Sequence, residues 1–408
     1  MNILYFHQHF STPEGSTGIR SYEMAQALIH EGHSVTMVCG SYGGGNTGIE
    51  SEFRGGRRSD LVNGIRVIEY DLSYSNADGF FKRTLTFARF AAQGVWLALT
   101  ERYDLLFATS TPLTAGIPGI FARWLRRKKF VFEVRDLWPE LPREMGVITN
   151  PIVLTLLSVL EWLSYKSAHR LIALSPGMVS GIVKRGNDKR KVAMIPNGCD
   201  LELFRPDHLQ WLPKGLPSNK LLAVFSGTHG MANGLDSVLD GMSELKRRGR
   251  DDIVLLLIGQ GALKPALQAR VISEGLDNVF FHDPVEKDKL AGLLAAAVVG
   301  IQSLANVEAF YYGTSPNKFF DYISAGLPVI INYPGWLAGM IEERNIGFVA
   351  KPDCPESFAD KMEFATDIGN ERRKVMGLGA RKFGHAQFHR CNLAKQFTDW
   401  LKTTNEDT

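Results

Sequence analysis

The chain has 408 residues, 45% of them hydrophobic and 22% charged, with a formal net charge of +3. That length exceeds what one hydrophobic core supports, so two domains of roughly 150 to 200 residues are expected. The small charge argues against a nucleic-acid binder, which needs a strongly basic, clustered face. The four cysteines, Cys39, Cys199, Cys354 and Cys391, stand far apart without a C-x-x-C pair, which indicates neither a zinc site nor a disulfide framework and fits a reducing compartment.

In chain order, the first half alternates short β-rich runs with helical patterns: "NILYF", "RSYEMAQALIHEGH", "SVTMVCG", "IRVIEY", "DLLFATS", "IFARWLRRK" and "KFVFEV". Strands separated by helices of this length form parallel βαβ units, because a parallel pair needs a crossover. The opening "MNILYFHQHF" lacks a basic n-region and a long apolar core, so it reads as a first strand and not as a signal peptide. "PIVLTLLSVLEWLSY" (151–165) stays apolar for about a dozen residues before Glu161, short of the about 20 that span a bilayer. A cytoplasmic protein is expected, peripheral on a membrane at most. The stretch "DLELFRPDHLQWLPKGLPSNK" (200–220) is proline-rich, polar and aperiodic, and is the expected linker. After it the alternation returns with "LLAVFSG", "GLDSVLDGMSELKRRG", "DIVLLLIG", "ALKPALQARVISEG", "NVFFHDPV", "DKLAGLLAAAVVGI", "FFDYISAG" and "LPVIINY". Runs such as "IVLLLIG" are apolar without alternation, as helices on both faces of a sheet require. The expected fold class is α/β with two doubly wound halves, and ligands are expected at the loops that follow the strands.

Six of those loops carry residues suited to chemistry. "HQHFSTPEGSTGIRSYEMAQAL" (7–28) leads into a helix near Ile19, where Gly15 and Gly18 let backbone approach a ligand and the helix N-terminus attracts anions; an ordinary flexible connection reads equally well. His7 and His9 alternate at the strand end, either touching ligand or sitting as satisfied structural histidines. "FEVRDLWPELPREMG" (132–146) ends a strand in Glu133, Arg135 and Asp136. Unpaired buried charge is costly, so either Arg135 pairs with Asp136, or the group forms a charged floor with Arg135 suited to phosphate and Asp136 to sugar hydroxyls. "VFSGTHGMANGLDSVLDGM" (224–242) holds Gly227, Gly230 and Gly234, which match neither the P-loop nor the dinucleotide fingerprint yet offer backbone donors to a phosphate. "IGQGALKPALQ" (258–268), with Gly259, suits a base pocket or a plain tight turn, and "FFHDPVEKDKL" (280–290) sets backbone around Val285 against a planar base. "VEAFYYGTSPNKFFDYISAGLPVI" (307–330) starts a helix about Lys318, with Ser315 or Asn317 as N-cap and Gly326 as its end. Lys318 and Asp321 then share one face of the first turn, as a surface ion pair or as groups that meet a ligand.

Together, "GSTGIRSYEMAQALIHEGHSVTMV", "LIALSPGMVSGIVKRG", "VAMIPNGCDLELF" and "FFDYISAGLPVI" resemble the retaining GT-B glycosyltransferases of the GT4 type, over nearly the whole chain. More narrowly, "EVRDLWPE" and "SPNK" resemble the bacterial subgroup of O-antigen and capsule transferases such as N-acetyl-L-fucosaminyltransferases. The resemblance implies two Rossmann-like domains facing across a cleft: an acceptor-binding domain over 1–205, rejoined by a C-terminal helix at about 386–408, and a nucleotide-sugar domain over 206–385. It implies transfer of a sugar, of the N-acetylamino kind, from a UDP-sugar to a polyprenyl-diphosphate-linked saccharide. Retention at the anomeric carbon and independence of metal or other cofactor come with it. On the donor side it carries over Gly227, Thr228, His229, Gly230, Asn233, Gly259, Val285, Glu308, Ser315, Pro316, Asn317, Lys318 and Asp321. The acceptor side takes His9, Gly15, Ser16, Gly18, Arg20, Glu133 and Asn197, and the catalytic candidates are Lys318, Asp321, Asp136 and Arg135.

Two departures from the family pattern shape the expectation. The family's spaced pair of glutamates falls on Gly313, which has no side chain, and on Asp321, expected to accept hydrogen bonds from ribose hydroxyls; Glu308 is a displaced candidate for the first. Where many relatives carry arginine and lysine in the phosphate loop, this chain has Thr228 and Asn233. Lys318, helped by Arg20, Arg135 and backbone N–H groups, is therefore expected to offset the charge of the leaving diphosphate. Basic and aromatic residues mix in "FFKRTLTFARF" (80–90) and "FARWLRRKKF" (121–130), as an ordinary solvated helix face or as a surface for an anionic membrane. A GT-B epimerase acting on a UDP-sugar alone and a non-catalytic sugar-nucleotide binder are the rival readings.

Overall fold

The computed structural model describes residues 1–74, 78–110 and 112–406, and the chain divides into two compact units. The first comprises Met1–Pro196, Tyr312–Ser315 and the chain from Cys391 onward; the second comprises Asn197–Tyr311 and Pro316–Arg390. The first unit ends upstream of residue 205, and the stretch 200–220 forms irregular turns within the second.

The first unit builds one sheet from β1 (Asn2–Phe6), β2 (Ser34–Tyr42), β3 (Arg57–Val62), β4 (Ile65–Tyr74), β5 (Leu105–Thr109), β6 (Lys129–Val134), β7 (Arg170–Ala173) and β8 (Val192–Met194). Its helices are α1 (Arg20–His30), α2 (Phe80–Thr100), α3 (Ile117–Arg126), α4 (Glu140–Glu144), α5 (Pro151–Ser167) and α6 (Pro176–Lys184). The strand order is β3-β4-β2-β1-β5-β6-β7-β8, parallel except for the β3–β4 hairpin. β1 and β5 are buried along almost all their length and meet in register, Tyr5 opposite Phe107, with the two rings 4.5 Å apart. Helix starts follow local chemistry: Asn150 accepts from Ile152 N at 2.9 Å ahead of Pro151, and Ser175 from Met178 N at 3.2 Å ahead of Pro176.

The second unit is a parallel sheet of β9 (Leu221–Ser226), β10 (Ile253–Ile258), β11 (Val279–His282), β12 (Val299–Gln302), β13 (Val329–Ile331) and β14 (Gly347–Val349). Between and around them lie α7 (Leu235–Arg247), α8 (Lys264–Ser273), α9 (Lys287–Ala296), α10 (Glu308–Tyr312), α11 (Asn317–Ser324), α12 (Trp336–Arg344), α13 (Pro355–Asp367) and α14 (Asn370–Phe388). The order β11-β10-β9-β12-β13-β14 sends the chain outward from β9 in one direction and from β12 in the other. The switch point therefore falls between β9 and β12, where open sheets of this kind bind ligands at the strands' carboxyl ends. Every residue of β10 is buried, and Leu255 and Leu257 share a core with Phe225, Leu239, Met242 and Ile330.

The last helix, α15 (Arg390–Glu406), returns to the first unit. Phe397 sets its ring 5.0 Å from Phe107, and Trp400 Nε1 donates to Leu171 O at 3.2 Å. Residues 407–408 of the expected terminal helix lie outside the described residues. Among the described residues, no helix is long and apolar enough to cross a membrane.

Candidate functional site

In the second unit the chain leaves β9 through Gly227 and turns back into α7 at Gly234. Gly234 adopts φ 55°, and a Cβ there would lie 2.8 Å from the Ala305 backbone, so the turn requires glycine. Side chains fix the loop from inside: Asn233 Nδ2 donates to Thr228 O at 2.7 Å, and Ser303 Oγ, just past β12, donates to Asn233 O at 2.7 Å. Thr228 itself is exposed, and Gly230 precedes the short 3-10 turn Met231–Asn233.

Lys318 rises from the first turn of α11 to this loop. Its Nζ donates to Asn233 Oδ1 at 2.7 Å and sits 4.5 Å from the centre of the Phe225 ring. Among the described residues it makes no ion pair, and burial pulls its pKa down to about 7. A cation held by a neutral amide and an aromatic face, beside a glycine turn at a switch point, is arranged to accept an anion.

His229 lies beneath the loop, fully buried, its ring 6.2 Å from Phe225 and 5.9 Å from Phe281. Burial, with Lys264 and Lys318 nearby, holds it neutral with a pKa of about 4, and among the described residues neither ring nitrogen has a hydrogen-bond partner. It is thus a packing residue under the turn. The neighbouring loop is clamped by Lys264, whose Nζ donates to Gly259 O at 2.9 Å, His282 O at 3.1 Å and Asp283 Oδ1 at 2.6 Å. Lys264 and Asp283 were not singled out from the sequence, where the lysine beside Pro265 gave no sign that it would fold inward.

Asp321 does not join Lys318. The expected shared face breaks up because α11 is buried on almost all sides: Asp321 turns to Lys287, Nζ to Oδ2 3.9 Å, while Lys318 takes the glycine loop. Burial raises the pKa of Asp321, and Lys287 and Arg390 oppose that rise. Pro316 occupies the N-cap position of α11, exposed Asn317 is the first helical residue, and Ser315 stands just ahead of both. Ser315 groups with the first unit. Glu308 is exposed at the start of α10 and makes no hydrogen bond to the loop among the described residues, Gly259 is buried, and Val285 is half-buried ahead of α9.

In the first unit the carboxyl ends of β1, β5 and β6 gather a second polar group. Arg135 N donates to Ser110 Oγ at 2.8 Å, and its Nη1 lies 3.4 Å from His7 Nε2. Burial, then the Arg135 charge, keeps His7 well below the usual histidine range and His9 down at about 3. His9 stacks at 4.5 Å from Tyr74 and 5.1 Å from Tyr42, aromatic neighbours that the sequence reading missed. Asp136 makes no salt bridge with Arg135; burial raises its pKa and the arginine opposes the rise.

Arg20 and Glu133 require correction. Their side chains form a buried pair, Arg20 Nη2 to Glu133 Oε1 2.8 Å, with Arg20 also donating to Ile195 O at 2.8 Å and Pro196 O at 2.7 Å, and Thr109 Oγ1 donating to Glu133 Oε2 at 2.8 Å. Their charge is spent inside the unit, tying α1 to β6 and to the chain after β8, so neither offsets a ligand's charge. Gly15 is buried in a turn closed by its N–H to Thr12 O at 3.1 Å, and Ser16 Oγ donates to Gly44 O at 3.1 Å. Gly18 is half-buried just ahead of α1, and Asn197 is buried at the start of the second unit.

Residues 15–198 match the model of the glycosyl transferase 4-like domain, and residues 220–367 match that of the glycosyl transferases group 1. The chain is 24% identical to Pseudomonas aeruginosa WbjE, named a probable glycosyltransferase, over 64% of this chain; the match spans 65% of that protein, just under two thirds of its length. It is 22% identical to Escherichia coli (strain K12) WcaI, named for colanic acid biosynthesis, over 72% of this chain and 74% of the relative. Among solved structures, Anabaena HepE in complex with UDP and glucose is similar with a TM-score of 0.69 and 16% identity, covering 98% of this chain and 99% of that one.

Proposed function

Since the chain belongs to the group 1 glycosyltransferases of GT-B fold, we propose that it moves a sugar, of the N-acetylamino kind, from a UDP-sugar to a polyprenyl-diphosphate-linked saccharide during assembly of a bacterial surface polysaccharide. The observation that carries the donor half is Lys318, a lysine with no carboxylate partner among the described residues, poised over Phe225 at the glycine turn. The name of WcaI supports the polysaccharide setting, and UDP with glucose in HepE supports the donor class.

In this reading the diphosphate of the donor takes the place that Asn233 fills beside Lys318, and the lysine stabilises the negative charge that builds on the leaving group. No side chain in either polar group needs to act as a covalent nucleophile. Catalysis with retention is then mostly positioning and electrostatic stabilisation, with the leaving phosphate helping to take the proton of the acceptor hydroxyl. On the second unit Asp321 receives the ribose hydroxyls; on the first, Arg135 and Asp136 are the groups suited to a sugar. The donor is the only small molecule required; no metal or cofactor enters.

A screen of UDP-sugars against short polyprenyl diphosphate saccharides, reading UDP release and the anomeric configuration of the product, tests the proposal. Release of UDP only when lipid acceptor is present, with retained configuration, is the expected result; conversion of a UDP-sugar into another without acceptor would sink it.

A further inference from the structure

Lys264 stands where a cation is disfavoured. It opens α8, against the direction of the helix dipole, and its side chain is only 8% exposed, although lysine is rarely buried without a partner. What holds it there is a set of acceptors at the carboxyl ends of two neighbouring strands: Gly259 O just past β10, and His282 O and Asp283 Oδ1 where β11 ends. Gln260 Nε2 donates to the same Asp283 Oδ1 at 2.7 Å. The loop after β9 is stitched to the same place. His229 N donates to Gln260 O at 2.9 Å, Leu263 N donates to His229 O at 3.0 Å, and a Cβ on Gly259 would lie 1.9 Å from Gly227 O. The loops after β9, β10 and β11 are thereby tied into one edge of the second unit.

In register, Ile258 stands between Ser226 on one side and His282 on the other. Neighbouring strands lie about 4.8 Å apart, so the end of β11 sits roughly 10 Å from the glycine turn at the end of β9. A nucleoside spans a gap of that order between its phosphates and its base. Beyond Val285, Lys287 brings its Nζ to 3.9 Å from Asp321 Oδ2, so the loop that Lys264 holds runs on to the carboxylate proposed for ribose. An ammonium has three N–H donors, and those of Lys264 all go to acceptors of the protein. None is left for a phosphate, which separates its part from that of Lys318. We infer that Lys264 is a positioning residue: through the two strand-end carbonyls and Asp283 it sets the loop after β11 at the reach of a pyrimidine base, and so makes the second unit select a nucleoside diphosphate by its base. The inference rests on the proposed function for the identity of that ligand.

Calorimetry of the full chain with UDP, ADP and inorganic pyrophosphate, on wild type and on Lys264→Met, tests it. The wild type should bind UDP more tightly than ADP. Lys264→Met leaves the strand-end carbonyls without their donor, so it should weaken UDP about tenfold or more, bring the ratio of UDP to ADP affinity close to one, and change pyrophosphate affinity by less than about twofold. A general loss of stability would weaken all three ligands alike and leave that ratio in place. Loss of UDP and pyrophosphate affinity in equal proportion, or a ratio that Lys264→Met leaves intact, overturns the inference. Should that variant lose its cooperative thermal melt, Asp283→Ala, which removes a side chain 72% exposed, decides by the same ratio. A wild type that binds no nucleoside diphosphate defeats the sugar-nucleotide reading and this inference with it. A wild type that prefers UDP, beside a variant that keeps the preference, defeats this inference alone.

Discussion

In the proposed function, Lys318 is the residue on which donor chemistry turns. Removing one charged donor to a leaving group costs about 3 kcal/mol, so Lys318→Ala should lower turnover about a hundredfold and weaken UDP in calorimetry while the thermal melt stays cooperative. Its pKa of about 7 adds a pH signature. A diphosphate favours the charged amine, so UDP affinity should be highest below pH 7 and fall as pH rises through it, by up to about tenfold per pH unit. Lys318→Arg, always charged, should flatten that profile between pH 7 and 9. His229 gives a complementary test on stability. Its folded pKa of about 4 lies below the ordinary histidine value, so the unfolded chain binds the proton first, and stability is lost as pH falls from about 6.5 toward 4. His229→Leu should remove that part of the loss, read as the difference in Tm between wild type and variant across this range.

At the scale of elements, α15 is held by an aromatic contact deep in the first unit. Phe397 is fully buried against Phe107, so Phe397→Ala should cost about 3–5 kcal/mol in denaturant unfolding. Gly234→Ala should cost about 1–3 kcal/mol and weaken UDP as well, because φ 55° and the Ala305 backbone leave no room for a methyl group. Much of this was legible in the sequence. Unbroken apolar runs such as "IVLLLI" announced buried parallel strands, and Ile19 stands where α1 was expected to begin. The hairpin β3–β4 escaped because "RRSDLV" is charged and exposed, though Asn63-Gly64, both at positive φ, is the turn signal that would have found it. The site was half legible. Glycines and Lys318 could be read from one loop each, whereas the Arg20–Glu133 pair joins residues far apart in sequence, and only the folded sheet shows that their charges cancel. Lys264 escaped for a related reason: two of its three partners, His282 O and Asp283 Oδ1, come from the end of β11 and the loop after it.

For the whole molecule, the role proposed for Lys318 at the glycine turn predicts a transfer that needs no metal ion. Turnover should therefore survive an excess of chelator, measured as UDP release with and without EDTA; a loss restored by added magnesium would show that Lys318 does not suffice. The route of the chain has a further consequence. Apart from Tyr312–Ser315, it leaves the first unit at Pro196 and re-enters it at Cys391, so the second unit is threaded through as an insertion. On a ribosome, which delivers the chain from its N-terminus, the unit that starts first is finished last, by the helix α15. Until Phe397 emerges, the Phe107 flank stays open to water and to other nascent chains, while the second unit already has its full sequence through Arg390. A released chain truncated after Arg390 should therefore present a folded second unit beside a first unit that proteases and chaperones still recognise.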